Sequence, residues 1–116
     1  MDFKSIYERL ALLQERAFGP NWAKGEEGLD TALQEYAVLS IVEAVELLLE
    51  TNFKKHKRKK IIDREAARKE IVDMFIYSVD AATQIFDSHE DFLREVVKKM
   101  DINDTRKDWI INHDPT

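Results

Sequence analysis

Glu43 and Glu46 stand three residues apart in Ala37-Val-Leu-Ser-Ile-Val-Glu-Ala-Val-Glu-Leu-Leu-Leu49, and Glu70 and Asp73 repeat that spacing in Glu70-Ile-Val-Asp-Met-Phe-Ile-Tyr-Ser-Val-Asp80. Charge is costly in runs this apolar, because a carboxylate among hydrocarbon loses its hydration. On a helix, a three-residue step places both members of a pair on one face. Two such faces on adjacent antiparallel helices would gather four acids into one site, where their repulsion calls for a cation. The chain has no cysteine, so thiolate metal sites and disulfides are excluded. A metal here would be a hard ion held by oxygen, which points to Mg²⁺, with Mn²⁺ as a substitute. Clustered carboxylates can hold such ions so that they grip a polyphosphate and activate a water. The plainer alternative is that these acids are ordinary exposed helix positions. Two pairs, each set in an otherwise apolar run, favour the site.

The elements that would position these acids follow from periodicity. At roughly 100° per residue, Ser40, Glu43, Glu46 and Glu50 fall within about 120°, leaving about 240° of that helix apolar. Glu70, Asp73, Tyr77, Asp80 and Gln84 fall within about 80° on the other. Both helices are greasier than a surface helix, so their faces should be covered by neighbours, including those of a second subunit in a homodimer or a dimer of dimers. In chain order, Asp2 caps a first helix with apolar positions Phe3, Ile6, Leu10, Leu13 and Ala17, ending near Phe18. Residues 19–28 hold all three glycines and read as the main non-helical connection. A second helix runs from an Asp30 N-cap to near Thr51, with Asn52 as its stop. Asp63 caps a third, lasting to about Phe86. Ser88-His-Glu-Asp91 resembles a capping box opening a fourth, with Phe92, Val96, Val97 and Met100 on its buried side. Past Asn103 the helix continues or breaks, before a frayed tail.

At 116 residues, with 44% hydrophobic and 35% charged residues, three Gly and two Pro, the chain suits one all-α domain spanning 1–116 rather than a β-rich or disordered one. The expected architecture is a four- to five-helix bundle completed by oligomerisation. No apolar run is long enough to cross a bilayer and no signal peptide is evident, so no membrane partner is expected and the cytoplasm is the default location. Net charge is −5, but the run Lys54 to Lys60 carries +6 and leaves −11 for the rest. That run reads as a solvated loop, a nucleic-acid contact or a phosphate-attracting rim, and its place between the two acid pairs favours the last. Trp22 either folds over the core or stacks on a ligand base. His89 and His113 lie in a cap and a tail and are not expected to be ligands. Zinc patterns, a Ser/His/Asp spacing and glycine-rich phosphate loops are absent, so nucleophilic protein catalysis has no support.

Glu43-Ala-Val-Glu46 followed by Glu70-Ile-Val-Asp73 resembles the E-x-x-E…E-x-x-D signature of the all-α nucleoside triphosphate pyrophosphatases, the superfamily of MazG and the dimeric dUTPases. Lys99-Met-Asp-Ile-Asn103 with Arg106 is similar to the family's third motif. Asn52-Phe-Lys-Lys-His-Lys57 resembles the aromatic and basic segment that follows the first acid pair in dimeric dUTPases. Leu13-Gln14 with Asn21-Trp22 resembles their N-terminal base-binding region. Together these cover most of the chain, in the family's order.

The resemblance implies hydrolysis of a nucleotide between its α- and β-phosphates, giving the monophosphate and pyrophosphate. By the same resemblance Glu43, Glu46, Glu70 and Asp73 bind Mg²⁺, and Glu46 orients or deprotonates the attacking water. Lys99, Asn103 and Arg106 hold phosphates or sugar. Lys54, His56 and Lys57 contact phosphates, and Gln14, Asn21 and Trp22 meet the base. Val42 stands where MazG-type sequences usually have another Glu, and Phe18 where many dimeric dUTPases have an Asn near the base. The chain is also shorter than a typical dimeric dUTPase. The implied substrates are therefore dUTP first, then dCTP or other pyrimidine nucleotides, with a broader MazG-like range beside them and no stable nucleic-acid partner. The competing expectation is a non-catalytic helical interaction module that keeps the family's acids without turning over substrate.

Overall fold

The computed structural model describes residues 1–54 and 58–105. Among them it forms four helices and no strand: α1 (Phe3–Phe18), α2 (Gly25–Leu49), α3 (Arg64–Ile85) and α4 (His89–Thr105). The protein is all-α, and no helix among the described residues is long and apolar enough to cross a membrane. The chain divides into two compact units, residues 1–85 and the part from Phe86 onward. The first contains α1, α2 and α3, with α3 packed against both of the others.

Local chemistry accounts for most helix ends. Asp2 Oδ1 accepts the Ser5 N–H at 2.9 Å, satisfying a donor that the first turn of α1 leaves over. At the other end Gly19, at φ +95°, donates its N–H to the Glu15 carbonyl at 2.8 Å. Asp63 accepts from the Ala66 N–H at 3.0 Å to start α3, and Ser88 Oγ accepts from the Asp91 N–H at 3.2 Å to start α4. Asp91 does not reach back to complete a reciprocal box and instead pairs with Arg94 at 2.7 Å.

The start of α2 differs from the periodicity-based expectation. The helix begins at Gly25, after an N-cap at Lys24 that makes no side-chain cap, so Asp30 lies inside it and accepts from Gln34 Nε2 at 2.7 Å. The glycines that read as breakers are used otherwise. Ala23 sits at φ +61° directly over Gly28, where a Cβ would come 3.2 Å from the Ala23 carbonyl carbon. Residue 28 is thus small because the turn folds back onto the helix, and the helix passes through it. Glu26 and Glu27 in the first turn complement the positive end of the helix dipole.

The buried core of the first unit is Tyr7, Ala32, Tyr36, Val79 and Ala82. Small residues at 32, 79 and 82 let the helix axes approach, and the Tyr7 hydroxyl donates to the Ala82 carbonyl at 3.1 Å. Beside them lies a polar hub, the side chain of Gln14, only 5% exposed. Its Oε1 accepts from the Tyr36 hydroxyl (2.7 Å), Gln84 Nε2 (2.8 Å) and Trp22 Nε1 (3.2 Å). Its Nε2 donates to Thr83 Oγ1 at 2.8 Å and reaches Asp80 Oδ1 at 3.3 Å. One amide thereby ties α1 to the following turn, to α2 and to α3. In the second unit Phe86 and Phe92 stack with centroids 5.2 Å apart. The apolar side expected of α4 is not buried: no residue of α4 is, and Val97 and Met100 are more than half exposed. Phe92, Val96 and Met100 line a shallow hollow with Phe86, and this unit supplies no further helix among the described residues to cover it.

Asp80 is buried beside the hub, and the lost hydration pushes its carboxyl up to about 6 from 3.8. The neighbouring Tyr36 phenol is pushed up to about 12, by burial first and then by the charge of Asp80. A carboxyl whose folded pKa is raised favours the fold while protonated. Its contribution is whole below pH 3.8 and is lost as pH rises through about 6. An Asn at position 80 keeps an oxygen for Gln14 without the charge. Asp80→Asn should therefore match the wild type near pH 4 and exceed it by roughly 1–2 kcal/mol at pH 7, the gap opening between those values. Thermal melts across pH check this, and a gap independent of pH would refute the assignment.

Candidate metal centre

Tyr36 lies with Gln14 and Asp80 at one end of the α2/α3 pair, while Glu46 lies with Glu70 further along, so the two helices run antiparallel. From Tyr36 to Glu43 is seven residues, two turns or about 10 Å along the axis. From Asp80 back to Asp73 is the same. The register held by the hub therefore carries the two acid faces to the same level. There, Glu43, Glu46 and Glu70 each offer a carboxylate oxygen, and all three atoms lie within 4.8 Å of one another. Glu43 and Glu70 are half-buried and Glu46 is exposed.

The electrostatics are those of crowded like charges. Contact with Glu70 is the largest cause holding Glu46 above the usual carboxylate range, and contact with Glu43 does the same for Glu70. Two carboxylates this close can share a proton or share a cation. Glu43 Oε2 has neither solvent nor a hydrogen-bond partner among the described residues. A buried carboxylate oxygen without a donor is rare, because it gives up hydration for nothing in return. Three convergent carboxylates, one with an unsatisfied inner oxygen and none in a salt bridge among the described residues, fit a hard divalent cation.

Asp73 stands outside that trio but acts on it, since its charge raises both Glu46 and Glu70. It also lines a shallow hollow with Glu65, Arg68, Lys69 and Val72. Tyr77, one turn beyond Asp73 on the polar stripe, belongs to this environment as well. Its phenol is held protonated by burial, then by the charges of Glu43, Asp73, Asp80 and Glu46. The 70/73/77/80/84 stripe contained that signal, although the acids alone drew attention to it.

The other residues singled out in the sequence are distributed as follows. Gln14 is committed inside the hub at both ends of its amide. Trp22 takes the plainer of its two readings over part of its surface, its ring 4.5 Å from Phe18 and edge-on to Tyr36 at 6.5 Å. With Asn21 it also lines an open hollow beside Lys24, Glu27 and Thr31. Lys54 lies over the Phe53 ring at 5.8 Å. Lys99 and Asn103 are one turn apart on α4, in the second unit. His56, Lys57 and Arg106, with His113, lie outside the described residues. No protein-family model, curated protein or solved structure matches the chain.

If the trio is crowded by its own repulsion, Mg²⁺ should stabilise the wild type and do little for a variant that lacks one of the charges. Mg²⁺ should raise the melting temperature of the wild type over that in EDTA. Glu70→Gln, relieved of one charge, should melt higher than wild type in EDTA and gain little from Mg²⁺. Equal Mg²⁺ responses in the two proteins, read by scanning calorimetry, would show that Glu70 is not a ligand.

Proposed function

We propose that the chain is a Mg²⁺-dependent nucleotide pyrophosphohydrolase that cleaves a (deoxy)nucleoside triphosphate, dUTP or another pyrimidine deoxynucleotide first, to the monophosphate and pyrophosphate. The observation that carries this reading is the convergence of Glu43, Glu46 and Glu70 with one inner oxygen lacking a partner. Bound Mg²⁺ would offset the charge of the polyphosphate and make a coordinated water more acidic. Glu43 and Glu70, half-buried on opposing helices, would hold it, with Asp73 completing the acidic ring. Glu46, the exposed member, is the one able to meet an incoming water and take its proton as that water attacks the α-phosphorus and pyrophosphate leaves. Asn21 and Trp22 would meet the base, and Gln14 would act on it through the Trp22 N–H that it holds. Lys99, Asn103 and Arg106 keep the phosphate and sugar roles that the resemblance implies, and Lys54, His56 and Lys57 those of phosphate capture.

The second part of the proposal is a homodimer or dimer of dimers. Val38, Ile41, Val42 and Val45 of α2 are 46–60% exposed and Ile71, Val72 and Phe75 of α3 are 49–55% exposed. These residues adjoin the acids in sequence, and so much apolar surface around a charged site is a surface for a partner helix.

Pyrophosphate release from a nucleotide panel, with Mg²⁺ and with EDTA, tests the activity. Turnover should require the metal and rank a pyrimidine deoxynucleotide first, and Glu46→Gln should lower kcat by about a hundredfold or more while the protein stays folded. Absence of metal-dependent release from every nucleotide would leave the non-catalytic interaction module. Sedimentation at micromolar concentration should give a dimer or tetramer, and a monomer would refute the assembly.

A further inference from the structure

The Gln14 amide has two unlike ends, and the partners that decide which way it points are those able to play only one part in a hydrogen bond. Tyr36 and Gln84 could each serve a reversed amide by turning over, and so could Thr83 if it gave up its bond to the Asp80 carbonyl at 2.7 Å. Two side chains could not. The Trp22 indole N–H can only donate, and it meets Gln14 Oε1 at 3.2 Å. The Asp80 carboxylate, when ionised, can only accept, and its Oδ1 lies 3.3 Å from Gln14 Nε2. These two hold opposite ends of one amide, with the Leu10 and Asp80 carbonyls adding contacts to its nitrogen at 3.4 Å. Trp22 leads outward, since with Asn21 it lines the open hollow beside Lys24, Glu27 and Thr31. Asp80 leads inward: it is buried, and no salt bridge among the described residues reaches it.

We infer that Asp80 is a positioning residue for the hollow beside Trp22: its ionised carboxyl holds the Gln14 nitrogen, which turns the Gln14 oxygen to the indole N–H and so fixes the ring that meets a ligand base. A buried carboxylate with no cation beside it costs stability at neutral pH, because its hydration is lost. An Asn of nearly the same shape would avoid that cost. It could, however, offer Gln14 either its oxygen or its nitrogen, and so would satisfy the amide without orienting it. The charge is what makes Asp80 an acceptor alone. Protonation lifts the constraint, because a carboxyl O–H can donate to Gln14 Oε1 and draw it from Trp22. With the Asp80 carboxyl pushed up to about 6 by burial, that change falls just below neutral pH. The titratable groups that Asp80 acts on are the phenols of Tyr36 on α2 and Tyr77 on its own helix, both held protonated, while α1 brings the uncharged Gln14 amide. Naming the ligand as a nucleotide base rests on the proposed hydrolysis, whereas the relay from Asp80 to Trp22 does not.

The test follows the Trp22 indole N–H and the Gln14 side-chain amide by NMR of the full chain from pH 8 to pH 5. In the wild type both signals should move together with a midpoint near 6, and in Asp80→Asn neither should move over that range. Deoxyuridine monophosphate, titrated into the same samples, should bind Asp80→Asn about tenfold more weakly at pH 7.5, and the difference should close by pH 5, where the wild type is protonated as well. That variant is expected to melt higher than the wild type at neutral pH, so a merely structural role would leave its binding equal or stronger. Weaker binding by the more stable protein is what positioning predicts. A wild-type indole signal that ignores pH, or equal affinity of the two proteins at pH 7.5, would overturn the inference. Linked titration and weakened binding without nucleotide hydrolysis would leave the role of Asp80 standing and remove the proposed activity. Mg²⁺-dependent hydrolysis with an indole blind to pH would do the reverse.

Discussion

Because an amide buried among helices must find its partners within the protein, the side chain of Gln14 imposes one alignment on three of them. Its oxygen takes donors from the turn after α1, from α2 and from α3, and its nitrogen turns to Thr83 and Asp80 on α3. Sliding α2 against α3 by one turn would strand either the Tyr36 hydroxyl or the Gln84 amide, since both donate to the one Gln14 oxygen. A greasy interface alone would tolerate such a slip, since apolar contacts are non-directional and one aliphatic residue can replace another. The hub supplies the direction that the apolar faces lack.

The consequence is felt two turns away. The register that satisfies every group around Gln14 places Glu43 and Glu46 opposite Glu70, where nothing in the described residues satisfies the inner oxygen of Glu43. One end of the helix pair is thus saturated with hydrogen bonds and the other crowded with like charge. That asymmetry would suit a site whose balance is completed by a ligand: rigid where alignment is set, unsatisfied where the acids crowd. Tyr77 lies between the two ends and Asp80 at the hub end, a phenol and a carboxyl held towards their protonated forms where hydration is lost.

The opposite surfaces of α2 and α3 show the other half of the design. The core of the first unit encloses two tyrosines among small residues, and the valines and isoleucines flanking the acids stay partly exposed. Beyond α2, Asn52 clamps the Lys60 backbone and the Lys60 ammonium donates to the Leu49 carbonyl, facing the negative end of the helix.

Much of this could be seen before any coordinates. Periodicity marked four helices, and the caps at Asp2, Asp63 and Ser88 were legible because capping is a local matter between a side chain and an amide three residues on. The spacing of the acids put each pair on one face for the same local reason. The start of α2 was not legible, because the smallness of Gly28 answers to Ala23 folding back upon it, a contact that composition cannot distinguish from a broken helix. Nor was the fate of Gln14, whose neighbours Tyr36, Thr83 and Gln84 come from 22 to 70 residues away along the chain. Types and spacings determined which groups could do chemistry; the alignment of α2 with α3, a property of long-range packing, decided which of them meet.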